Sequence, residues 1–485
     1  MPCGNSERWP DRGAESKLFA RRITSSPTLP DPSEVPRTMT APPAALPPGP
    51  KPRYPGELLF RMSRDRLALF REMARTHGDV SMMRIGGRRV VMLTHPDDIR
   101  DVLVTQARIF TKGQALQRAR QLLGEGILTS EGEAHLRQRR MLQPAFHLAR
   151  MAGYARQMAE WAGRLRDEWR DGDEVDANAE MMRLTLNIVA ATLFSADVDA
   201  ETQEIAGALN SAFEAFNFGY GPLTSLIDRL PTPSRRRFLQ GRARLDSTIY
   251  RLIRERRESG EDRGDFLSML LMATDTEGSG HGMTDQQIRD EAITLFVAGH
   301  ETTANLLSWT WLLLARHPHI ERALHAEVDA VLEGDRLPTV DDLAQLPYTR
   351  NVLAESMRFY PPAYVIGRRS TEEYRVRGFT LPPQTLFLMP QFIVHRDPRW
   401  WPDAERFDPD RWRVPDESRP RFAYFPFGAG TRICIGEQFA WMEGTLALAT
   451  LARRWRVHVP GADPALEPII TLRPKGGLPA RLERR

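Results

Sequence analysis

The feature that most constrains the fold of this 485-residue chain is an apolar segment, residues 291–315, with a polar interruption at its middle. The segment is long enough to cross a membrane as a helix. However, His300-Glu301-Thr302-Thr303 would place a charge at the centre of the lipid, where it is costly. The preceding Thr284-Asp285-Gln286-Gln287 has the pattern of a capping box, which marks a helix start. We therefore predict a long helix buried in a protein core.

Segments with the 3.6-residue apolar period of an amphipathic helix occupy most of the chain. We predict helices over residues 135–146, 154–169, 179–194, 202–216, 235–257, 265–273, 320–332, 353–359 and 437–455. Apolar runs at residues 80–85 and 90–93 flank Gly86-Gly87 and predict a β-hairpin. Short strands are predicted at residues 365–368 and 385–389. The predicted fold class is mainly α, with a small β-rich region near the N-terminus.

Composition excludes several classes of protein. The chain is 41% hydrophobic and 27% charged, which is sufficient for a large core. Lysine and arginine total 67 against 63 acidic residues, and the arginines are scattered among acids, which does not indicate nucleic-acid binding. The two cysteines, Cys3 and Cys434, exclude a disulfide-stapled domain. With no signal-peptide core in the first residues, we expect a cytoplasmic protein without a transmembrane anchor.

The N-terminal residues 1–50 contain eleven prolines and almost no apolar periodicity. Such a segment buries too little surface to offset its ordering entropy, so we expect a disordered extension followed by a folded domain at residues 51–485. Met39 would itself be a suitable start, which would make residues 1–38 unnecessary for folding. The alternative is a polyproline segment that binds a partner.

Cys434 lies in the decapeptide Phe427-Gly428-Ala429-Gly430-Thr431-Arg432-Ile433-Cys434-Ile435-Gly436, just before a predicted helix. A helix N-terminus favours a thiolate, and the glycines allow sharp turns. Three interpretations are open: a buried structural cysteine, a catalytic nucleophile and an axial ligand to a metal cofactor. A single cysteine without a CxxC partner cannot build a structural zinc site.

The polar interruption of the central helix brings small and polar residues together. Ala298, Gly299 and Thr302 share one helix face, with Glu301 beside them. A carboxylate and a hydroxyl next to small residues are suited to delivering protons through water. The alternative is a helix kink, in which Thr302 bonds back to a carbonyl and Glu301 forms a salt bridge.

The pattern Phe-x-x-Gly-x-Arg-x-Cys-x-Gly resembles the haem-binding loop of the cytochrome P450 superfamily of haem-thiolate monooxygenases, and the resemblance covers roughly residues 50–485. It implies that Cys434 is the axial ligand of the haem iron. Phe427, Gly428 and Gly436 would belong to the cofactor-binding loop. Ala298 and Gly299 would leave room for dioxygen over the haem, and Glu301 and Thr302 would be catalytic, assisting its protonation.

The resemblance also implies a structural ion-pair network. Glu355 and Arg358 match the family's Glu-x-x-Arg element, and Arg411, in Pro409-Asp410-Arg411-Trp412, matches its third member. Arg406 is the alternative third member. Without the resemblance, Glu355 and Arg358 would be read as a surface pair of little energetic value.

A haem carries two propionates, which require cationic or hydrogen-bonding groups. By resemblance these groups are His135, Arg139, Arg368 and Arg432, with Arg369 replacing Arg368 if the strand slips by one residue. The family more often has Trp at the position of His135. The alternative for any one of these arginines is an exposed residue that aids solubility.

The implied fold is a helical triangular prism, with haem b between the central helix and the helix that follows Cys434. The implied reaction inserts one atom of O2 into an apolar small molecule, a fatty acid, terpenoid, steroid or polyketide, by hydroxylation or epoxidation. The sequence contains no flavin- or nicotinamide-binding fingerprint and no ferredoxin-like cysteine cluster. Electrons from NAD(P)H are therefore expected only indirectly, through a separate ferredoxin or flavodoxin and its reductase. We expect a monomer.

Substrate contacts are expected, again by resemblance, from residues 110–128, 213–227 and 363–366 and from the helix face near Phe296. An aromatic roof would include Phe213, Phe216, Phe218 and Tyr220. Two other functions remain open: a haem-thiolate enzyme that uses peroxide or rearranges its substrate, and a haem-binding sensor or carrier without turnover.

Overall fold

The structure is a computed structural model that describes residues 46–194, 232–275, 278 and 280–485. Most of the N-terminal extension, the predicted helix at residues 202–216 and the predicted aromatic roof lie outside the described residues. The described helices are α1 (Glu57–Arg64), α2 (Arg66–His77), α3 (Pro96–Arg100), α4 (Gln114–Leu123), α5 (Gly132–Leu142), α6 (Leu148–Glu168), α7 (Ala177–Phe194), α8 (Pro233–Ser259), α9 (Phe266–Met272), α10 (Asp285–Arg316), α11 (Pro318–Val331), α12 (Pro347–Phe359), α13 (Gln391–Val394) and α14 (Glu437–Ala452).

The described strands are short. They are β1 (Val80–Ile85), β2 (Arg88–Leu93), β3 (Phe110–Lys112), β4 (Glu174–Asp176), β5 (Ile366–Ser370), β6 (Tyr374–Val376), β7 (Phe379–Leu381), β8 (Leu386–Met389), β9 (Trp455–His458), β10 (Leu466–Pro468), β11 (Leu472–Pro474) and β12 (Pro479–Arg484). One sheet has the order β1-β2-β8-β5-β3, a second has β4-β12-β9, and β6-β7 and β10-β11 are two-stranded.

The predicted central helix is present as α10, and the capping box is confirmed. The backbone N–H of Gln287 donates to the Thr284 hydroxyl at 3.2 Å, and the Gln287 side chain accepts from the Thr284 N–H at 3.0 Å. The helix ends at Arg316, because the next residue precedes a proline and is driven out of the helical region. Buried side chains of α10, among them Trp309 and Trp311, pack against α7, α12 and α14 in the main core.

The β1–β2 hairpin is also confirmed. Both Gly86 (φ 55°) and Gly87 (φ 81°) adopt left-handed conformations, which a two-residue turn between twisted strands requires. β3 pairs antiparallel with β5, and this register places Lys112 directly opposite Arg368. The sheet thereby brings together two basic residues that are far apart in the sequence.

Two predicted helices end earlier than expected. The segment at residues 135–146 is helical only to Leu142 and then continues as a 3₁₀ turn, since Pro144 has no N–H for the α-helical ladder. The segment at residues 437–455 ends at Ala452, and Trp455 begins β9, because β9 pairs with β12. Within the described residues, no helix is long and apolar enough to cross a membrane.

Replacing Thr284 should weaken the start of the central helix. We expect Thr284→Ala to lower the free energy of unfolding by about 1 kcal/mol, since an N-cap hydroxyl and its reciprocal bond are lost. Urea unfolding followed by circular dichroism measures the change. The exposed Gln286→Ala is the control, and an equal effect of both substitutions would contradict the capping role.

Candidate functional site

The loop that carries Cys434 is a tight turn held by its own backbone. The N–H of Cys434 donates to the Phe427 carbonyl at 2.9 Å, and Gly428 (φ 72°) and Gly430 (φ 69°) are left-handed. A Cβ on Gly430 would lie 2.2 Å from the Leu103 carbonyl oxygen, so only glycine fits there. Gly436 then caps α14.

The Cys434 side chain lies among protein atoms without being fully covered by them. This side chain retains accessible surface, yet the protein around it desolvates the sulfur and raises the pKa of the thiol to about 11. The N–H of Gly436 and the charge of Arg139 oppose this shift and are outweighed. The N–H at the helix start therefore favours the thiolate, as the sequence analysis expects, but desolvation by the surrounding protein has the larger effect. A coordinating metal cation would supply the missing stabilisation, because it deprotonates a thiol outright.

The four side chains expected at the propionates lie within electrostatic range of one another. Arg432 is among the charges that lower the pKa of Arg368, to about 10, and of His135, to about 3, although desolvation is the larger cause in both. Arg139 and Arg368 also contribute to the shift of His135. These residues come from α5, β5 and the Cys434 loop. A half-buried cluster of cations is stabilised by an anionic partner, and the two negatively charged propionates of a haem would be such a partner.

Lys112 belongs to the same cluster and was missed by the sequence analysis. Its ammonium group donates to the carbonyls of Ile127 at 2.8 Å and Ser130 at 3.3 Å. Desolvation and the nearby Arg432 lower the pKa of Lys112 to about 7. Arg432 also pairs with Glu131. The only signal in the sequence was a lysine at the end of a three-residue strand, which carries no functional pattern.

The alternation of side chains along β5 separates Arg368 from Arg369. Arg368 is the member of the pair that interacts with Arg432, and its neighbour points to the opposite face. The register of β5 against β3 and β8 involves the backbone of both residues, so the strand position is fixed. This geometry favours Arg368 over Arg369 as the propionate ligand.

The polar interruption of α10 is only partly buried, whereas its flanks are buried. The Thr302 hydroxyl donates to the Ala298 carbonyl at 2.7 Å, which is the back-bond of the alternative interpretation, but its oxygen can still accept. Glu301 accepts from the Thr471 hydroxyl at 2.6 Å. Desolvation raises the pKa of Glu301, and the Thr471 bond and the charge of Arg473 oppose the rise. Gly299 packs against Val189, where a Cβ would come within 3.1 Å.

The predicted ion-pair network is present, and its central pair is fully buried. Glu355 and Arg358, each 0% exposed, form a bidentate pair at 2.8 and 2.9 Å. Arg411 Nε donates to Glu355 at 3.1 Å, whereas the Arg406 side chain is exposed and contributes only its carbonyl. Trp412 Nε1 is a further donor, at 2.9 Å, which the sequence analysis did not assign.

The comparisons with known proteins agree with this geometry. The family described as Cytochrome P450 matches residues 47–478. Cyclooctat-9-en-7-ol 5-monooxygenase of Streptomyces melanosporofaciens is 41% identical over 79% of this chain and 84% of its own length. Pentalenene oxygenase of Streptomyces avermitilis is 39% identical over 80% and 86%. The crystal structure of the cytochrome P450DA heme domain superposes with a TM-score of 0.82 at 29% identity, covering 91% of this chain and 98% of that one.

A mainly helical fold that carries the Phe-x-x-Gly-x-Arg-x-Cys-x-Gly loop is that of a haem-thiolate protein, and the sequence and structural relatives agree. The chain belongs to the cytochrome P450 family. It is a monooxygenase that uses haem, O2 and reducing equivalents from redox partners to oxidise an apolar small molecule. The predicted family, fold class and reaction class are confirmed.

The Glu355 network allows a direct test. Glu355→Gln should lower the free energy of unfolding by about 3–5 kcal/mol, because Arg358 would keep a buried charge without its counter-charge. Glu255→Gln is the control: it removes an exposed ion pair with Arg251 and should cost less than about 1 kcal/mol. Denaturant unfolding of both variants measures the difference. Equal losses of unfolding free energy in the two variants would show that the buried network stabilises the fold no more than an exposed ion pair does.

Proposed function

We propose that this cytochrome P450 oxidises a terpenoid. Two relatives that cover most of the chain are named for reactions on cyclooctat-9-en-7-ol and on pentalenene. Ile366, in a segment expected to contact substrate, lies against Gly428 of the Cys434 loop, 3.4 Å from the position of an added Cβ. Together with Ala298 and Gly299, this residue gives the site a small and apolar lining that suits a hydrocarbon skeleton.

Two aromatic residues in or beside the expected substrate segments pack within the fold. Phe110 packs edge-on against Tyr374 and Phe387 in the core of the main sheet, and Phe296 is buried against Phe194. The physical reason is the same in both cases, since burying a large aromatic ring in a sheet or helix core stabilises the fold. The segment at residues 213–227 lies outside the described residues.

The proposed cofactor is haem b, and Cys434 Sγ would bind its iron. Haem, when bound through a thiolate, supplies oxygen activation and favours cleavage of the O–O bond. Arg139, Arg368, Arg432 and Lys112 would bind the propionates by charge. His135, which lies among these cations, would contribute a hydrogen bond. Phe427, Gly428 and Gly436 would shape the loop.

Glu301 and Thr302 are proposed to move the protons that dioxygen reduction consumes. Glu301 is partly exposed, and burial raises its pKa, so it can hold a proton closer to neutral pH than an ordinary carboxyl. Thr302 has a hydroxyl oxygen that can accept from water while its proton is given to Ala298. Ala298 and Gly299 leave room beside these groups.

The electron donor, the bounds of the folded domain and the oligomeric state are proposed from the sequence. Because the sequence lacks flavin and nicotinamide fingerprints, we infer that NAD(P)H acts indirectly, through a ferredoxin or flavodoxin and its reductase. The folded catalytic domain is proposed to be residues 51–485, acting as a cytoplasmic monomer. The absence of cysteine pairs in the sequence supports a reducing compartment.

Turnover with a surrogate ferredoxin, its reductase and NADPH tests the substrate proposal. We expect cyclooctat-9-en-7-ol or pentalenene to give an alcohol or epoxide that carries one atom from ¹⁸O₂. Saturated fatty acids of equal carbon number serve as the matched control. Oxidation of the fatty acids alone would overturn the terpenoid class, and full turnover with hydrogen peroxide alone would overturn the proposed electron route.

Arg368→Met should release haem faster, since a charge-assisted hydrogen bond to a propionate is lost while the apolar stem is kept. We expect a roughly ten- to hundredfold higher rate, corresponding to the usual strength of such a bond. Transfer of haem to apomyoglobin measures the rate. Arg375→Met, at an exposed position of the β6–β7 hairpin, should leave it unchanged. Equal rates in both variants would contradict the propionate assignment.

A further inference from the structure

The hairpin formed by β10 and β11 reaches the middle of the central helix through a single hydroxyl. Thr471, at the turn of the hairpin, is 5% exposed. Its hydroxyl donates to Glu301 at 2.6 Å and accepts from the Asn305 side-chain amide at 3.1 Å. Glu301 and Asn305 lie one turn apart on α10, so Thr471 bridges successive turns at the polar interruption.

The direction of these hydrogen bonds is fixed by chemistry. A hydroxyl has one proton, and because Asn305 donates to the Thr471 oxygen, the Thr471 proton is free to point at Glu301. Asn305 is itself oriented by Asn178, whose amide donates to the Asn305 carbonyl oxygen at 3.4 Å. The chain of donors from Asn178 ends on the Glu301 carboxylate and favours its ionised form.

The hairpin also brings a charge to Glu301. Arg473 is the charged group that acts on Glu301 through space, and it opposes the effect of burial on the carboxyl. Arg473 pairs with Glu467 at 2.7 Å, directly across the β10–β11 ladder. The neighbouring His300 is neutral near pH 7, since burial lowers its pKa to about 4. On α14, Glu443 interacts with Thr303, and burial raises the pKa of Glu443 to about 8.

The hairpin is anchored at several backbone positions, so the contact with Glu301 is well defined. Trp309 Nε1 donates to the Leu472 carbonyl at 2.9 Å, and the Leu472 N–H donates to the Pro362 carbonyl at 2.9 Å. Tyr364 donates to the carbonyls of Pro468 and Ile469 at 3.2 and 2.9 Å. The turn therefore stays in register with α10 on one side and with the segment before β5 on the other.

We propose that Thr471 and Arg473 are positioning residues that orient Glu301 and set its proton affinity, so that the β10–β11 hairpin controls proton delivery during turnover. The proposal rests on the proton-transfer role of Glu301 stated above. In productive turnover, substrate, O2, two electrons and two protons give oxidised product and water. When delivery is mistimed, O2, two electrons and two protons give hydrogen peroxide and leave the substrate unchanged.

Substitutions in the hairpin should shift the pKa of Glu301 in opposite directions, according to the charge or hydrogen bond that each one removes. Thr471→Val removes a donor to the carboxylate and Arg473→Met removes a positive charge, so each should raise the pKa of Glu301 by roughly one unit or less. Glu467→Gln leaves Arg473 without its counter-charge and should lower this pKa. Thr471→Ser keeps the hydroxyl and should leave the pKa of Glu301 at its wild-type value. Thr310→Val, which removes another buried hydroxyl of α10, is the matched control.

Infrared titration of the haem-loaded protein measures the midpoint of the Glu301 titration directly. The band of the protonated Glu301 carboxyl is identified by its absence in Glu301→Gln. This measurement needs neither substrate nor redox partner, so its outcome is independent of the terpenoid proposal. The expected order of midpoints is Thr471→Val and Arg473→Met above wild type, Thr310→Val and Thr471→Ser equal to it, and Glu467→Gln below it. Identical midpoints in wild type, Arg473→Met and Glu467→Gln would overturn the proposal.

The share of NADPH that ends as hydrogen peroxide gives the functional readout. We expect Thr471→Val to raise this share several-fold and to shift its pH dependence in the direction of the infrared midpoint. Thr471→Ser should restore both quantities. A rise in peroxide without any shift of the pH profile would overturn the positioning role, because a general loss of packing would have the same effect.

Discussion

The rest of the site depends on the hydrogen bonds that the buried carboxylate of Glu355 accepts. It accepts from Arg358, Arg411 and Trp412 and from the backbone N–H of Asp408 at 3.0 Å. Five donor groups from four residues at one carboxylate make a buried charge tolerable, because the bonds replace the water that burial removes. Through these bonds α12 is attached to the segment that precedes the Cys434 loop.

A continuous series of contacts leads from this network to the cysteine. Arg358 donates to the His395 carbonyl at 3.0 Å, and His395 Nε2 accepts from the Phe425 N–H at 3.0 Å. The Gln391 amide donates to the Phe425 carbonyl at 2.9 Å. Two residues later, Phe427 accepts from Cys434. The position of the sulfur therefore follows from a polar framework and not from the glycine-rich loop alone.

The electrostatics of the site have a common cause. Enclosure disfavours charge on every group there: it raises the pKa of Cys434 and Glu301 and lowers the pKa of His135, Lys112 and Arg368. The charged forms of these groups are therefore not fully stabilised by the other residues of the chain. We propose that an iron porphyrin would complement these groups, since its metal would stabilise the Cys434 thiolate and its propionates would stabilise the cations.

Much of this site could be predicted from the sequence, because its motifs are short. The Cys434 decapeptide, the Thr302 region and the Glu355–Arg358 pair each lie within one loop or helix, where spacing fixes geometry. Lys112 and Thr471 could not be predicted, since tertiary pairing of three-residue strands brings them to the site. The desolvation that raises the pKa of the Cys434 thiol could not be predicted either, because it depends on the whole surrounding fold and the sequence shows only the helix start.

The proposal that Cys434 ligates a haem iron can be tested by spectroscopy. The reduced, carbon monoxide-treated protein should show a strongly red-shifted Soret band in its difference spectrum. Cys434→Ser should lose that band, with folding verified by circular dichroism and bound haem verified as the pyridine adduct. An unshifted band in folded, haem-containing wild-type protein, or a red-shifted band that persists in Cys434→Ser, would show that Cys434 does not ligate the haem iron.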